Sequence, residues 1–426
     1  MFTDGLAVPR LPVPVDLGRP AGRNCPARLV PLAFVAVVSI GGCSTMQARN
    51  SSTEEALVKK ARAIHQRVIT LDTHSDIAVA NFTTERNYTQ RLDTQVNLPK
   101  MFEGGLAAVF FSVYVRQTTE AQNPDAFKPA GYERAYRAAI EKFDAIHRLA
   151  EQIAPDKIEL ALTSADVRRI KAKGKRVALI GVENGYPMGE DIGRVKEFFD
   201  RGARYMSLAH NGHSQLSDSH TGEHEGWKWN GLSPLGRQVI AEMNRVGLMI
   251  DVSHPSKASM MQSLGLSKAP IIASHSAMRA LCDVSRNMDD EQLLALKKNG
   301  GVIQVVAYSS YVKTPKPDSP ERTAALAALR REFNLPEPPA TVRDFVDHID
   351  YAVKLIGLDR VGIASDFEGG GGVTGWNDAS ETFNVTLELV RRGYTEQQIE
   401  KLWGGNLLRV MGEVQRIARE LRQENR

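Results

Sequence analysis

The sequence predicts a (β/α)8 barrel, and three observations carry that reading. Short β-branched and apolar runs alternate with segments of helical spacing, the pattern of βαβ units and a parallel sheet. About eight such units fit into roughly 350 residues, which suits a closed barrel better than an open sheet. The polar residues His74, Asp76, Glu183, His210, His254, His275 and Asp366 fall at predicted C-terminal strand ends. That is the rim where barrel enzymes build their sites. An open doubly wound sheet would bind at a switch point instead. Gly369–Gly372 follows the last strand, but no Lys-Ser/Thr comes after it, so a phosphate loop is a poor reading.

The elements follow in order. Glu54–Gln66 has helical spacing and feeds Val68–Asp76, a β-branched run that ends in His74-Ser75-Asp76. Leu106–Val115 is a second apolar, β-rich run, and Tyr132–Gln152 is a long helix by its periodicity. Val177–Asn184 is the third strand, polar at its end. Ile192–Arg201 is helical, Tyr205–Asn211 is a fourth strand, and Pro234–Val246 is a helix. Leu248–His254 and Pro270–His275 are the fifth and sixth strands, followed by a helix at Glu291–Lys298 and a strand at Gly301–Tyr308. Ala324–Phe333 and Val342–Ile356 are helical, and Val361–Asp366 is the eighth strand. Helices interrupted at Gly404-Gly405 close the chain over Thr395–Arg422.

The chain has 426 residues, 42% of them hydrophobic, enough for one large α/β domain with an ample core. Its formal charge of +4 is mixed along the sequence. No basic stripe is interleaved with aromatics, which argues against nucleic acid as a partner.

Residues 1–50 differ. Pro, Gly and Arg dominate up to Arg28, and Leu29–Ile40 is then almost wholly apolar. That run is too short to span a bilayer comfortably and fits the core of a signal peptide. Arg23 and Arg28 supply the positive flank, and the core ends in Gly41-Gly42-Cys43. This resembles a bacterial lipoprotein signal, cut before a Cys that becomes lipidated. The expected organisation is a signal peptide over 1–42, a polar tether over 43–53 and a single catalytic domain over 54–426. Cys43 would anchor an exported protein in the bacterial cell envelope, facing the periplasm. Cys25 leaves with the signal and Cys43 is lipidated, which leaves Cys282 as the single remaining cysteine, so no internal disulfide is expected.

In a strand, residues i and i+2 share a face, so His74 and Asp76 project the same way. An imidazole and a carboxylate held like that form half of a first-row metal site. Glu183, His254 and His275 complete an inventory of three His and two carboxylates on one rim. Two cations about 3.5–4 Å apart need a shared anion between them, and Glu183 lies between the two ligand groups in the chain. N/O ligation without thiolate suits zinc, and also manganese, iron or cobalt.

Ordered blocks then carry a family resemblance. They are Asp72-Thr73-His74-Ser75-Asp76, Gly181-Val182-Glu183-Asn184-Gly185, Ser207-Leu208-Ala209-His210 and Gly231-Leu232-Ser233-Pro234-Leu235-Gly236. Ile250-Asp251-Val252-Ser253-His254, Ser274-His275-Ser276, Arg286-Asn287, Gly362-Ile363-Ala364-Ser365-Asp366-Phe367 and Gly404-Gly405-Asn406-Leu407-Leu408-Arg409-Val410 follow. From about residue 64 to 412 the chain resembles the renal, or membrane, dipeptidases, metallopeptidases of the amidohydrolase-like barrel type.

The resemblance implies two zinc ions, one on His74 and Asp76, the other on His254 and His275, bridged by Glu183. It implies a metal-bridging hydroxide as nucleophile and Asp366 as the group that moves the proton to the leaving amine. His210 would steady the oxyanion, and Arg286, with Asn287 beside it, would hold the free carboxylate of a dipeptide. From the residues alone, Arg286 reads as a surface ion pair, and Asp366 as a helix N-cap or an additional metal ligand. The mammalian relatives carry a disulfide framework and a glycolipid anchor; here the lipidated Cys43 is expected instead, with a homodimer by surface packing left open.

The implied activity is hydrolysis of L-L and L-D dipeptides with free termini. Two other readings are a deacylase or cyclic-amide hydrolase on the same centre, and a lipoprotein that binds peptide or metal without turnover. Substrate preference would sit in loops such as Asn81–Asn97, Thr118–Gly131 and Ser214–Asn230. In the last of these, Asp218, His220 and His224 read as plain solvated residues.

Overall fold

Eight parallel strands close on themselves. They are β1 (Leu71–Asp76), β2 (Ala108–Tyr114), β4 (Arg176–Glu183), β5 (Ala203–Ser207), β6 (Met249–Asp251), β7 (Ile272–Ser276), β8 (Val302–Val306) and β9 (Val361–Ala364). A short β3 (Ile158–Leu160) pairs with β4 outside this path. The computed structural model describes residues 41–118, 120, 122–313, 328–329 and 339–424. Closure joins the end of β1 to the backbone just past β9: Asp76 N donates to Phe367 O (2.9 Å) and Asp366 N to His74 O (3.2 Å). The expected (β/α)8 barrel is the fold.

Strand alternation sorts the core into two shells. On β2, Val109, Phe111 and Val113 belong to the cluster that also takes in the surrounding helices. Ala108 and Phe110 point the other way, with Leu71, Leu179, Tyr205, Met249, Ile272 and Val302. The helix Asn406–Glu424 adds Leu407, Leu408, Met411 and Val414 to this second cluster. The end where the strands begin is thereby filled, and chemistry is left to the opposite rim.

Helices Pro234–Val246 and Val342–Ile356 have the expected bounds because both carry explicit boundary signals. Ser233 caps the first through Gly236 N, and Gly247 ends it at φ 94°. Thr341 and Asp344 form a capping box on the second. The interruption at Gly404-Gly405 is a π-helical turn, Lys401–Gly405, between Glu396–Glu400 and Asn406–Glu424. A Cβ on Gly404 would lie 3.0 Å from Ile69 O, so the turn lets this segment approach the start of β1 closely.

The expected strands run too far at their polar ends. Tyr205–Asn211 shrinks to Ala203–Ser207, and Leu248–His254 to Met249–Asp251. Shortly beyond the strand ends, at His254 and Asp366, the backbone turns left-handed (φ 75° and 61°) and cannot continue the ladder. Helices Leu98–Gly104, Ser164–Ala172, Lys257–Leu266 and Phe383–Arg391 were not expected. Each is too short for its period to stand out from flanking loops.

Residues Ser52–Arg426 form one compact unit; of the other, Met1–Ser51, only residues 41–51 are described, and they are helical. The expected tether, 43–53, lies within the helix Gly41–Arg67. The signal core, Cys25 and most of Ala324–Phe333 fall outside the described residues. Among the described residues no helix is long and apolar enough to cross a membrane.

One packing detail yields a stability prediction. His348 is 1% exposed; its Nδ1 accepts from Met278 N (3.0 Å) and its Nε2 donates to Val312 O (2.9 Å). Burial pushes its pKa from 6.5 down to about 4, so the fold holds it neutral. The unfolded chain takes up the proton first. Stability is therefore complete above pH 6.5 and falls as pH drops towards 4, by at most about 3 kcal/mol. Urea midpoints measured across that window should show the decline, and His348→Gln should flatten it.

Candidate metal centre

Glu183 ends β4 and is 2% exposed, with its two carboxylate oxygens facing different partners. Oε2 lies 3.3 Å from His74 Nε2. Oε1 lies 2.9 Å from His254 Nε2 and 3.3 Å from His275 Nε2. On the His74 side, Asp76 Oδ1 and Asp366 Oδ1 each lie 3.9 Å from His74 Nε2. Three ligand sets have their donor atoms within 4.8 Å of one another: His74–Asp76–Glu183, Glu183–His254–His275 and His74–His275–Asp366. One carboxylate thus divides its oxygens between two half-sites, as a bridge between two cations must.

The surrounding hydrogen bonds turn all three imidazoles the same way. Tyr205 O–H donates to Thr73 O (3.2 Å), so its oxygen accepts from His74 Nδ1 (2.8 Å). Ser274 Oγ donates to Asp251 Oδ2 (2.6 Å), so it accepts from His275 Nδ1 (2.8 Å). His254 Nδ1 donates to Asn211 Oδ1 at 3.1 Å. With each proton placed on Nδ1, each Nε2 lone pair is aimed inward. His74 Nε2 and Asp76 Oδ1 are buried with no hydrogen-bond partner. Orphaned polar atoms of that kind call for a ligand.

The electrostatics agree. Burial raises Asp366, Glu183 and Asp76 raise it further, and it reaches about 8 despite His74. Burial and then Glu183 raise Asp76 to about 6. Burial opposes charge on His74, yet Glu183, Asp366 and Asp76 together lift it to about 10. Burial, then Arg286, holds His254 well below the ordinary range; burial, then His74 and Arg286, does the same to His275. Two buried carboxylates and the partly buried Asp76 thus draw positive charge to the point where the unpartnered nitrogen stands. A pair of divalent cations fits these residues.

The backbone is bent to make this fit. Asn184, His254 and Asp366 all have positive φ (74°, 75° and 61°), at a cost of about 1–3 kcal/mol each. Gly181 pairs with Tyr205 across β4 and β5, and a Cβ there would sit 2.0 Å from the Tyr205 ring. Only glycine leaves room for the phenol to cross under His74. Tyr205→Phe should therefore lower metal affinity about 10–100-fold with little change in fold, readable by competition with a chromogenic chelator.

The remaining expected residues separate. His210 Nε2 lies 3.7 Å from Glu183 Oε1, and its ring sits 4.1 Å from that of His254. Arg286 is not a surface ion pair: it is 4% exposed and donates to Ser276 Oγ and His275 O, both at 2.8 Å. Among the described residues it has no carboxylate partner. Asn287 gives its amide protons to Cys282 O and Tyr311 O, both at 2.8 Å, so its Nδ2 braces the loop. Asp366 caps no helix, since the Gly-rich stretch that follows it is a turn.

Asp218 and His220 are not solvated. Asp218 is fully buried and accepts from the backbone N–H groups of Lys228, Trp229 and Gly231 at 2.9–3.0 Å. His220 is partly buried and bonds Asn211 Oδ1 (2.9 Å) behind His254. His224 is exposed, as expected. Asp72, Asp251, Tyr205, Ser274 and Asn211 escaped the sequence reading as supports of the site. A usable signal existed for two of them: an Asp inside an apolar run shortly before a histidine, Leu-Asp-Thr-His and Ile-Asp-Val-Ser-His.

A model of the membrane dipeptidases, peptidase family M19, matches residues 58–425. The chain belongs to the membrane dipeptidase family. Dipeptidase aclJ of Aspergillus oryzae is 32% identical over 366 residues, 83% of this chain and 80% of the relative. Dipeptidase tcpJ of Claviceps purpurea is 34% identical over 331 residues, 78% of this chain and 72% of the relative. The crystal structure of the probable dipeptidase PvdM from Pseudomonas aeruginosa superposes with TM-score 0.75 at 32% identity, covering 85% of this chain and 99% of that one. This membrane dipeptidase family member is thus a metallopeptidase, a hydrolase of peptide bonds, and the ligand sets around Glu183 can hold the metal on which the family depends.

Proposed function

We propose that this chain is a dinuclear zinc dipeptidase acting on L-L and L-D dipeptides whose amino and carboxyl ends are both free. His74 and Asp76 would hold one cation, His254 and His275 the other, with Glu183 between them. When bound, the cations would lower the pKa of a water and polarise the scissile carbonyl. Asp366, whose Oδ1 lies 3.9 Å from His74 Nε2 at the edge of the cradle, would take a proton from the attacking water and pass it to the leaving amine. His210, with a side chain 20% exposed at the mouth, donates to the developing oxyanion.

The observation that carries the reading is Arg286. A buried guanidinium without a carboxylate of its own, next to a two-cation cradle, suits the free carboxylate of a small peptide. Purified protein reconstituted with zinc should hydrolyse an L-L and L-D dipeptide panel and spare N-acyl amino acids. Hydrolysis of the N-acyl compounds alone would make it a deacylase; no hydrolysis with metal bound would leave a binding protein.

Location follows from the first 53 residues. A leader over 1–42, lipidation at Cys43 and a place in the bacterial envelope complete the reading. Mass spectrometry of the mature amino terminus tests the lipid, and Cys43→Ala should release the protein from membranes.

A further inference from the structure

Two cations at the mouth of the centre have no part in the reaction described above. Lys142, on the helix Pro129–Arg148, donates from Nζ to Ile77 O at 2.8 Å. Its Nζ lies 5.8 Å from the Tyr114 ring centroid, and among the described residues it forms no ion pair. Burial weakens its charge, and the favourable fields come from Asp76 and Glu183 in the centre itself. Arg116, on the loop after β2, is exposed, without a hydrogen bond or ion pair among the described residues. Its field reaches the Tyr114 phenol and the His210 imidazole.

The order of groups across the mouth sets a direction. Arg286 stands against His275, and His275 is 5.1 Å from His254 between ring centroids. His254 is 4.1 Å from His210, His210 is 4.5 Å from Tyr114, and Lys142 lies over Tyr114. A dipeptide with its carboxylate on Arg286 and its carbonyl beside His210 directs its amino-terminal side chain towards Tyr114. There it meets Lys142, which has two N–H groups left over from Ile77, and Arg116. An ammonium held at a partly desolvated wall, with the field of the exposed Arg116 guanidinium added to it, favours a carboxylate over its neutral amide.

We propose that Lys142 and Arg116 make the amino-terminal subsite selective for dipeptides that begin with an acidic residue. The proposal rests on the dipeptidase reading and on its assignment of Arg286. The experiment compares kcat/KM for Glu-Ala with Gln-Ala, and for Asp-Ala with Asn-Ala, which differ in charge and hardly in shape. The acid-to-amide ratio is expected to be about tenfold or more at low salt and to shrink as ionic strength screens it. Arg116→Ala and Lys142→Met should each lower the ratio several-fold, through KM for the acidic member. Arg116 is exposed, so its variant keeps the test alive if Lys142→Met fails to fold. A ratio near one in the parent protein, or a ratio that neither variant changes, overturns the proposal and leaves the dipeptidase reading standing. If all four dipeptides are inert with metal bound, the dipeptidase reading itself fails.

Discussion

Glu183→Ala is expected to remove metal and activity together. The carboxylate faces His74 with one oxygen and His254 and His275 with the other, so no other side chain can replace it. Without it, two cations would stand close together with no anion between them. His254 and His275, whose Nε2 atoms are 3.1 Å apart, would face each other across a space that the carboxylate lined. Metal analysis after gel filtration should show loss of bound cation, and turnover of any dipeptide should fall by at least roughly three orders of magnitude. The protein should still fold, because the strand pairing of β4 with β2 and β5 is untouched. A variant that keeps its metal and its activity would remove Glu183 from the bridging position.

Asp366→Asn should separate the two effects. The amide keeps the shape of the carboxyl and suits a site where burial, Glu183 and Asp76 already disfavour the charged form. Thermal stability should not fall, and metal content should be retained, since His74, Asp76, Glu183, His254 and His275 all remain. What the amide cannot do is accept a proton and pass it on. Turnover is expected to drop by about 10²–10⁴-fold, the usual worth of a positioned acid–base group, with KM much less affected. Loss of metal along with turnover would instead make Asp366 a ligand, a role its place in the His74–His275–Asp366 set permits.

Much of this site was legible before any coordinates. Strand position carried it: a polar residue that ends an apolar β-run in a barrel has one place to go, the C-terminal rim. His74 and Asp76 share a face because the backbone period is two, and they lie as that period requires. What the residues did not reveal were the supports. Tyr205 looks like a core aromatic and Ser274 like a polite spacer, and their value lies in which imidazole nitrogen they occupy. Asp218 sits in a loop of polar residues and reads as solvated, yet three backbone N–H groups bury it. Arg286 reads as a surface ion pair for a similar reason, because nothing local says that its partner is missing.

The sequence by itself determined the barrel, its eight staves and the imidazole and carboxylate donors on its rim. These follow from periodicity and from the order of apolar and polar residues along the chain. The tertiary structure alone decided that Glu183 divides its oxygens between two half-sites, that each imidazole turns Nε2 inward, and that Arg286 is buried without a carboxylate. Such facts depend on distances between residues far apart in the chain. Closure of β9 on β1 and left-handed backbone at His254 and Asp366 set those distances, and no local pattern encodes them.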